Sequence, residues 1–111
     1  MIDVTPFAET LHGRPVAVLG LGISNMAAIR ALLKAGVEVW AWDDQEMRRA
    51  DAREAGAAIH DLKEADLTGC ACLLLSPGVP LDFPEPHPVV IKAREAGREI
   101  ICDLEILHRC N

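Results

Sequence analysis

The sequence is short of the features that would place it in a membrane, on nucleic acid or around a metal ion. No run of residues approaches the roughly 20 apolar positions a membrane helix needs, so no membrane partner is expected. Positive charge is scarce: 11 Lys and Arg stand against 17 Asp and Glu, a formal net charge of −6. That balance argues against a broad nucleic-acid surface, because phosphate backbones are held mainly by clustered cations. Any anionic ligand must find its donors locally. The opening stretch, MIDVTPFAETLHGRP, lacks the basic start and apolar centre of a signal peptide, and a cytoplasmic setting is expected. Cys70, Cys72, Cys102 and Cys110 lie in or beside apolar runs without a C-x-x-C spacing. They read as buried reduced thiols, with neither a metal nor a disulfide. No Gly-Lys pair occurs anywhere, so the chain carries no phosphate-binding loop of the ATPase kind.

What is present is a cadence. Three times a helical stretch closes on Ala-Gly and passes at once into a short apolar run: Ala35-Gly36 before VEVWAW, Ala55-Gly56 before AAIH, and Ala96-Gly97 before REIIC. Glycine just past a helix end takes the left-handed conformation that a Cβ resists, so each pair reads as a helix stop. With strands at 15–20 and 70–75, the alternation predicts one α/β domain over residues 1–111: a Rossmann-like parallel sheet of about five strands with helices on both faces. A helix over 24–35 sets Met26, Ile29 and Leu33 on one face, and they should lie on the sheet. A later helix begins at Pro88 with its Lys and Arg facing water, after a loop over 81–88 that holds three of the prolines. Asp103 is a plausible cap for a last helical turn. Trp40 and Trp42 alternate, so both should pack on one side of the sheet.

The stretch VAVLGLGISN, residues 16–25, carries the chemistry. Gly20 and Gly22 let the backbone turn sharply, and the helix that follows presents unpaired amides and a partial positive charge, a natural seat for phosphate. The Ser24 hydroxyl adds a donor. The dinucleotide fingerprint wants a third glycine where Asn25 stands, and the glycines also suit mere strand-to-helix packing. About 20 residues further on, the spacing of the acid that holds a ribose, come Asp43 and Asp44. Each has a rival reading as a solvated acid or a helix cap. Ser76, Pro77 and Gly78 end the buried strand LLL, as a third ligand loop or a plain connection. His12, His60, His87 and His108 are scattered and read as surface or helix-end residues, so no catalytic base is assigned.

Together, VLGLGISNMA (18–27), AWDD (41–44), LLLSPGVP (73–80), the KAREAG helix and ICDLEIL (101–107) resemble the N-terminal domain of the Mur ligases, most specifically the branch that adds D-glutamate. The resemblance spans nearly the whole chain. It implies a domain that binds the UDP end of UDP-N-acetylmuramoyl-L-alanine, with Gly20, Gly22, Ile23, Ser24 and Asn25 at the diphosphate. Asp43, Asp44 and Gln45 match the uracil segment, and Ser76, Pro77 and Gly78 the third loop. The family usually has glycine at Asn25 and often Thr-Arg at Asp44-Gln45, which leaves Asp44 only its backbone to offer a uracil carbonyl. In this family ATP, with magnesium, turns the substrate carboxylate into an acyl phosphate that the amine of D-glutamate displaces. Central ATP-binding and C-terminal domains would supply that machinery, so the resemblance implies no catalytic residue, ATP or magnesium site in these 111 residues. Two rivals remain: an NAD(P)-binding domain of an oxidoreductase or regulator, which shares the turn, helix and acid, and a scaffold with a vacant turn.

Overall fold

A computed structural model describes residues 3–76, 86–102, 105, 106 and 109. The chain runs through α1 (Thr5–Glu9), β1 (Val16–Leu19), α2 (Ile23–Lys34), β2 (Val39–Trp42), α3 (Glu46–Ala55) and β3 (Ala58–Ile59). A 3₁₀ turn (Leu67–Gly69) leads on to β4 (Cys72–Leu75), α4 (Pro88–Glu95) and β5 (Glu99–Ile101). All neighbouring strands pair in parallel, in the order β3-β2-β1-β4-β5. Successive units first step outward from β1 on one side, then restart on its other side with β4. The reversal falls between β1 and β4, where ligands of open α/β sheets bind beyond the carboxyl ends of the strands.

The central strands β1 and β4 are apolar throughout because both of their faces are covered. On one face Val16, Val18, Val39, Ala41, Cys72 and Leu74 meet α1, α2 and α3. On the other, Ala17, Leu19, Leu73 and Leu75 meet α4 and the 60s segment through Leu62, Leu67, Val89, Val90 and Ala93. Met26, Ile29 and the partly buried Leu33 lie on the sheet side of α2, as their spacing predicts, and Leu32 joins them. Fully burying side chains such as Ile29 and Leu32 contributes about 2 kcal/mol each. Trp40 and Trp42 both face the α4 side, half-buried at its margin.

Gly36, Gly56 and Gly97 have φ of +83°, +108° and +70°, so all three Ala-Gly pairs end helices through left-handed glycines. Two features depart from expectation. α1 was not foreseen; Asp3 accepts from the Thr5 amide (2.9 Å), proline stands in the first turn, and Phe7 anchors it in the core. Lys92, expected to face water, instead folds its ammonium onto the carbonyls of Leu62 (3.3 Å), Lys63 (3.1 Å) and Ala65. Its long stem lets it reach across to a turn whose carbonyls have no helix to continue. The 81–85 part of the proline-rich loop and Asp103 lie outside the described residues. Among the described residues no helix is long and apolar enough to cross a membrane.

Candidate functional site

The carboxyl end of β1 is tied into a fixed turn. The Gly20 amide donates to the Trp42 carbonyl (2.9 Å), and φ of +87° makes Gly20 a position only glycine fills without strain. Leu21 donates its amide to Asp43 Oδ2 at 2.8 Å in a buried contact. Gly22 then caps α2 with φ −74° and ψ 179°, ordinary extended backbone, and no side chain caps the helix. A Cβ at Gly22 would meet nothing within 4 Å. The two glycines therefore differ: Gly20 is demanded by the turn, whereas the absence of a side chain at Gly22 leaves open space beside the helix start. There the first-turn amides of Ile23, Ser24 and Asn25 have no intrahelical partners and carry the positive end of the helix dipole. Ile23, 94% exposed, and Ser24 stand outward at that edge.

Asn25 is turned the other way. Its side chain is fully buried, and Nδ2 donates to the carbonyls of Gly20 (2.7 Å) and Leu19 (3.4 Å). An amide thus stitches the first turn of α2 to the end of β1 at the place where a dinucleotide fingerprint has glycine. Its Oδ1 is buried without a partner. Asn25 therefore presents no side chain to a ligand.

The three residues after β2 divide their work. Asp43 is buried, and its carboxylate holds the site together: Oδ2 takes the Leu21 amide, Oδ1 takes the Gln45 amide at 2.8 Å, and Arg48 approaches Oδ2 at 3.6 Å. Arg49 also donates to the Asp43 carbonyl (2.7 Å) while lying over the Trp42 ring, 4.5 Å from its centroid. Asp44 is exposed, and its carboxylate accepts from Trp42 Nε1 (3.2 Å) and lies 3.4 Å from His87 Nε2. Burial works to raise the Asp44 carboxyl, but hydrogen bonds from His87 and Trp42 hold it below its usual range. Gln45 stands at the N-cap position of α3 without a side-chain capping bond and is exposed. At the end of β4, Ser76 donates its amide to the Leu19 carbonyl (3.0 Å), which places it beside the glycine turn. Pro77 and Gly78 lie outside the described residues. Gly20, Gly22, Ile23, Ser24, Asn25, Asp43, Asp44, Gln45 and Ser76 are thus gathered on the carboxyl edge of three adjacent strands.

Spacing had not revealed everything at this edge. A cleft of about 570 Å³ opens beside the turn, between α2 and α3, with Gly22, Ile23, Met26 and Arg30 on one wall and Arg48 and Asp51 on the other. Arg48, 3.6 Å from Asp43, brings a cationic group next to the glycine turn, while Asp51 and Glu54 set acids in the same cleft. Arg48 was findable, standing a helical turn beyond Gln45. His87 was assigned only as a helix-end residue, which it is, accepting the Val89 amide on Nδ1 at 3.1 Å as the cap of α4. Its second contact, to Asp44, bridges 43 positions of sequence that no local pattern encodes. Among the described residues no group of three or more His, Cys, Asp or Glu is placed to hold a metal.

Residues 14–102 match the family of Mur ligase MurD-like N-terminal domains. A UDP-N-acetylmuramoylalanine–D-glutamate ligase of Bradyrhizobium diazoefficiens is 49% identical over 98% of this chain. Ligases of the same name from Rhodopseudomonas palustris and Caulobacter vibrioides are 48% and 44% identical, each over 98% of the chain. The chain spans about 22% of the length of each of these relatives. Among solved structures, a shikimate dehydrogenase of Aquifex aeolicus is similar with a TM-score of 0.66 at 16% identity, covering 95% of this chain and 51% of that one. A shikimate 5-dehydrogenase of Thermus thermophilus in complex with NADP(H) and shikimate gives 0.63 at 22% identity, covering 96% and 52%. At such identities these likenesses show the Rossmann-type fold alone.

Proposed function

Because the chain belongs to the family of MurD-like N-terminal domains of Mur ligases, we propose that it holds the UDP end of UDP-N-acetylmuramoyl-L-alanine on the carboxyl edge of its sheet. The observation that carries this reading is the start of α2. It is an uncapped helix N-terminus, flanked by a glycine whose missing side chain the fold does not need. Helix amides give a diphosphate several directed donors beyond the nearby Arg48, which reconciles an anionic ligand with a chain of net charge −6. The 43–45 turn, one strand over, would take the uracil, and Asp43 would act from behind by fixing the turn through Leu21 rather than by touching the ligand. Ser76, with Pro77 and Gly78, would close the third side.

In this reading the 111 residues are one domain of a cytoplasmic ligase that forms an amide bond to D-glutamate with ATP. ATP and magnesium are not assigned to these residues, since the sequence carries no Gly-Lys pair of an ATP-binding loop. Both would be bound by the central and C-terminal domains of the family, with which this domain would pack. Its own part is to bind and orient the substrate, not to transfer a group.

Calorimetry with UDP-N-acetylmuramoyl-L-alanine, UDP and NADPH in parallel tests the reading. Saturable binding of the two uridine compounds is expected, and weakening on Gly22→Val, whose side chain would fill the open space, at a stability cost of about 1 kcal/mol for a valine at the start of the helix. NADPH binding without a uridine response would support the rival NAD(P)-binding role, against which stands the Asn25 amide at the third-glycine position. No binding of any nucleotide would leave a scaffold.

A further inference from the structure

Building on the uridine-site reading, we propose that Asp44 and His87 form a clasp that orients the 43–45 turn, so that it presents peptide groups to a base instead of a free carboxylate. His87 is placed for this by two constraints. Pro88 starts α4, and the imidazole of His87 caps it by accepting the Val89 amide on Nδ1. A ring nitrogen that accepts carries no proton, so the neutral ring has its hydrogen on Nε2. That nitrogen lies 3.4 Å from Asp44 Oδ2, so the cap itself aims a donor at the carboxylate. The other oxygen, Oδ1, accepts from Trp42 Nε1 at 3.2 Å. Asp44 is therefore drawn toward the α4 side of the sheet by both oxygens.

The surroundings favour the same orientation. Lys63 lies 5.6 Å from the Trp42 ring centroid and acts on Asp44 as a nearby positive charge, and Arg49 lies over the same ring. The chemistry explains why orientation matters. A uracil edge shows carbonyl acceptors on either side of one N–H, and a carboxylate, being acceptor only, repels the carbonyls. Peptide groups offer donors and acceptors without the charge. Asp44 and His87 are thus positioning residues, acting through the backbone of the turn.

The test separates the clasp from the cap. His87→Asn keeps a side-chain acceptor for the Val89 amide, since asparagine caps helices well, but is too short to reach Asp44. Calorimetry with UDP on the full chain should show His87→Asn binding about two- to five-fold more weakly, the scale of an exposed polar pair, with an unchanged unfolding midpoint. Adding Asp44→Asn to His87→Asn should recover part of the lost affinity, because no carboxylate is then released toward the base although the turn stays unclasped. Nitrogen-15 spectra of the unliganded chain should show His87 protonated on Nε2. Wild-type affinity in His87→Asn, a double variant as weak as the single one, or a ring protonated on Nδ1 would each overturn the clasp alone. A wild-type chain that binds no UDP would overturn the parent reading and this inference with it.

Discussion

Removing the Asp43 carboxylate should unfasten the turn from the sheet. In Asp43→Ala the Leu21 amide loses a buried acceptor at 2.8 Å and the Gln45 amide its own at 2.8 Å. A buried N–H bonded to a charged group is worth about 1.5–3 kcal/mol, and a cap-like contact such as that to Gln45 about 1 kcal/mol. The Arg48 pair, at 3.6 Å with a guanidinium 48% exposed, adds little. A loss of about 3 kcal/mol follows, a large part of the roughly 5–15 kcal/mol that holds a domain together. Asp43→Asn keeps one acceptor and turns an NH₂ on the other donor, so it should fall between wild type and Ala. Urea unfolding followed by tryptophan fluorescence reads this directly, since Trp42 adjoins the site, and the Ala midpoint should fall by about 1–2 M. An Asp43→Ala chain within about 0.5 kcal/mol of wild type, the range of an ordinary surface change, would refute this role of the carboxylate.

Lys92→Met should destabilise the chain by about 1–3 kcal/mol, because the carbonyls of Leu62, Lys63 and Ala65 lose their shared donor; thermal melts check it, and an unchanged midpoint contradicts it. Arg109 pairs with both oxygens of Glu99 (2.9 and 2.8 Å) and holds its carboxyl below the ordinary value of 4.5. A lowered folded value means the stabilisation is complete above pH 4.5 and is lost as pH falls through that folded value. Arg109→Met should therefore cost under about 1 kcal/mol at pH 7, as both groups are partly exposed, and the gap to wild type should close in acid; a gap that widens in acid refutes the sign. Burial pushes the Cys70 and Cys72 thiols up to about 11 and about 12. A brief maleimide exposure at neutral pH, mapped by mass spectrometry, should thus modify Cys102 before either; equal rates would contradict the buried placement.

How far the sequence was readable follows the range of each signal. Helix stops at Gly36, Gly56 and Gly97 depend on one residue's backbone freedom, and the strand-helix alternation depends on short-range periodicity, so both were legible. The glycine turn was legible as a motif, but not the division of labour between Gly20, which the backbone requires, and Gly22, which leaves space. Asp43 was correctly placed at the end of β2, yet whether its carboxylate faces a ligand or the Leu21 amide depends on strand pairing that no local window contains. Asn25 followed the same rule: its position could be read from spacing, but its inward rotamer is set by the carbonyls of Leu19 and Gly20. α1 was missed because its helix is five residues long, too short for periodicity to register. Lys92 escaped because a long amphipathic side chain on a polar helix face ordinarily reaches water.

The central claim is that helix amides at the β1–α2 junction receive the diphosphate. Titrating the isotopically labelled chain with UDP-N-acetylmuramoyl-L-alanine and following its amide resonances tests it directly. Saturable shifts concentrated at Gly22, Ile23, Ser24 and Asn25, with a second group at residues 43–45, are the predicted result. Saturation with those amides unmoved, or shifts confined to the opposite edge of the sheet around Arg14 and Glu38, would contradict it.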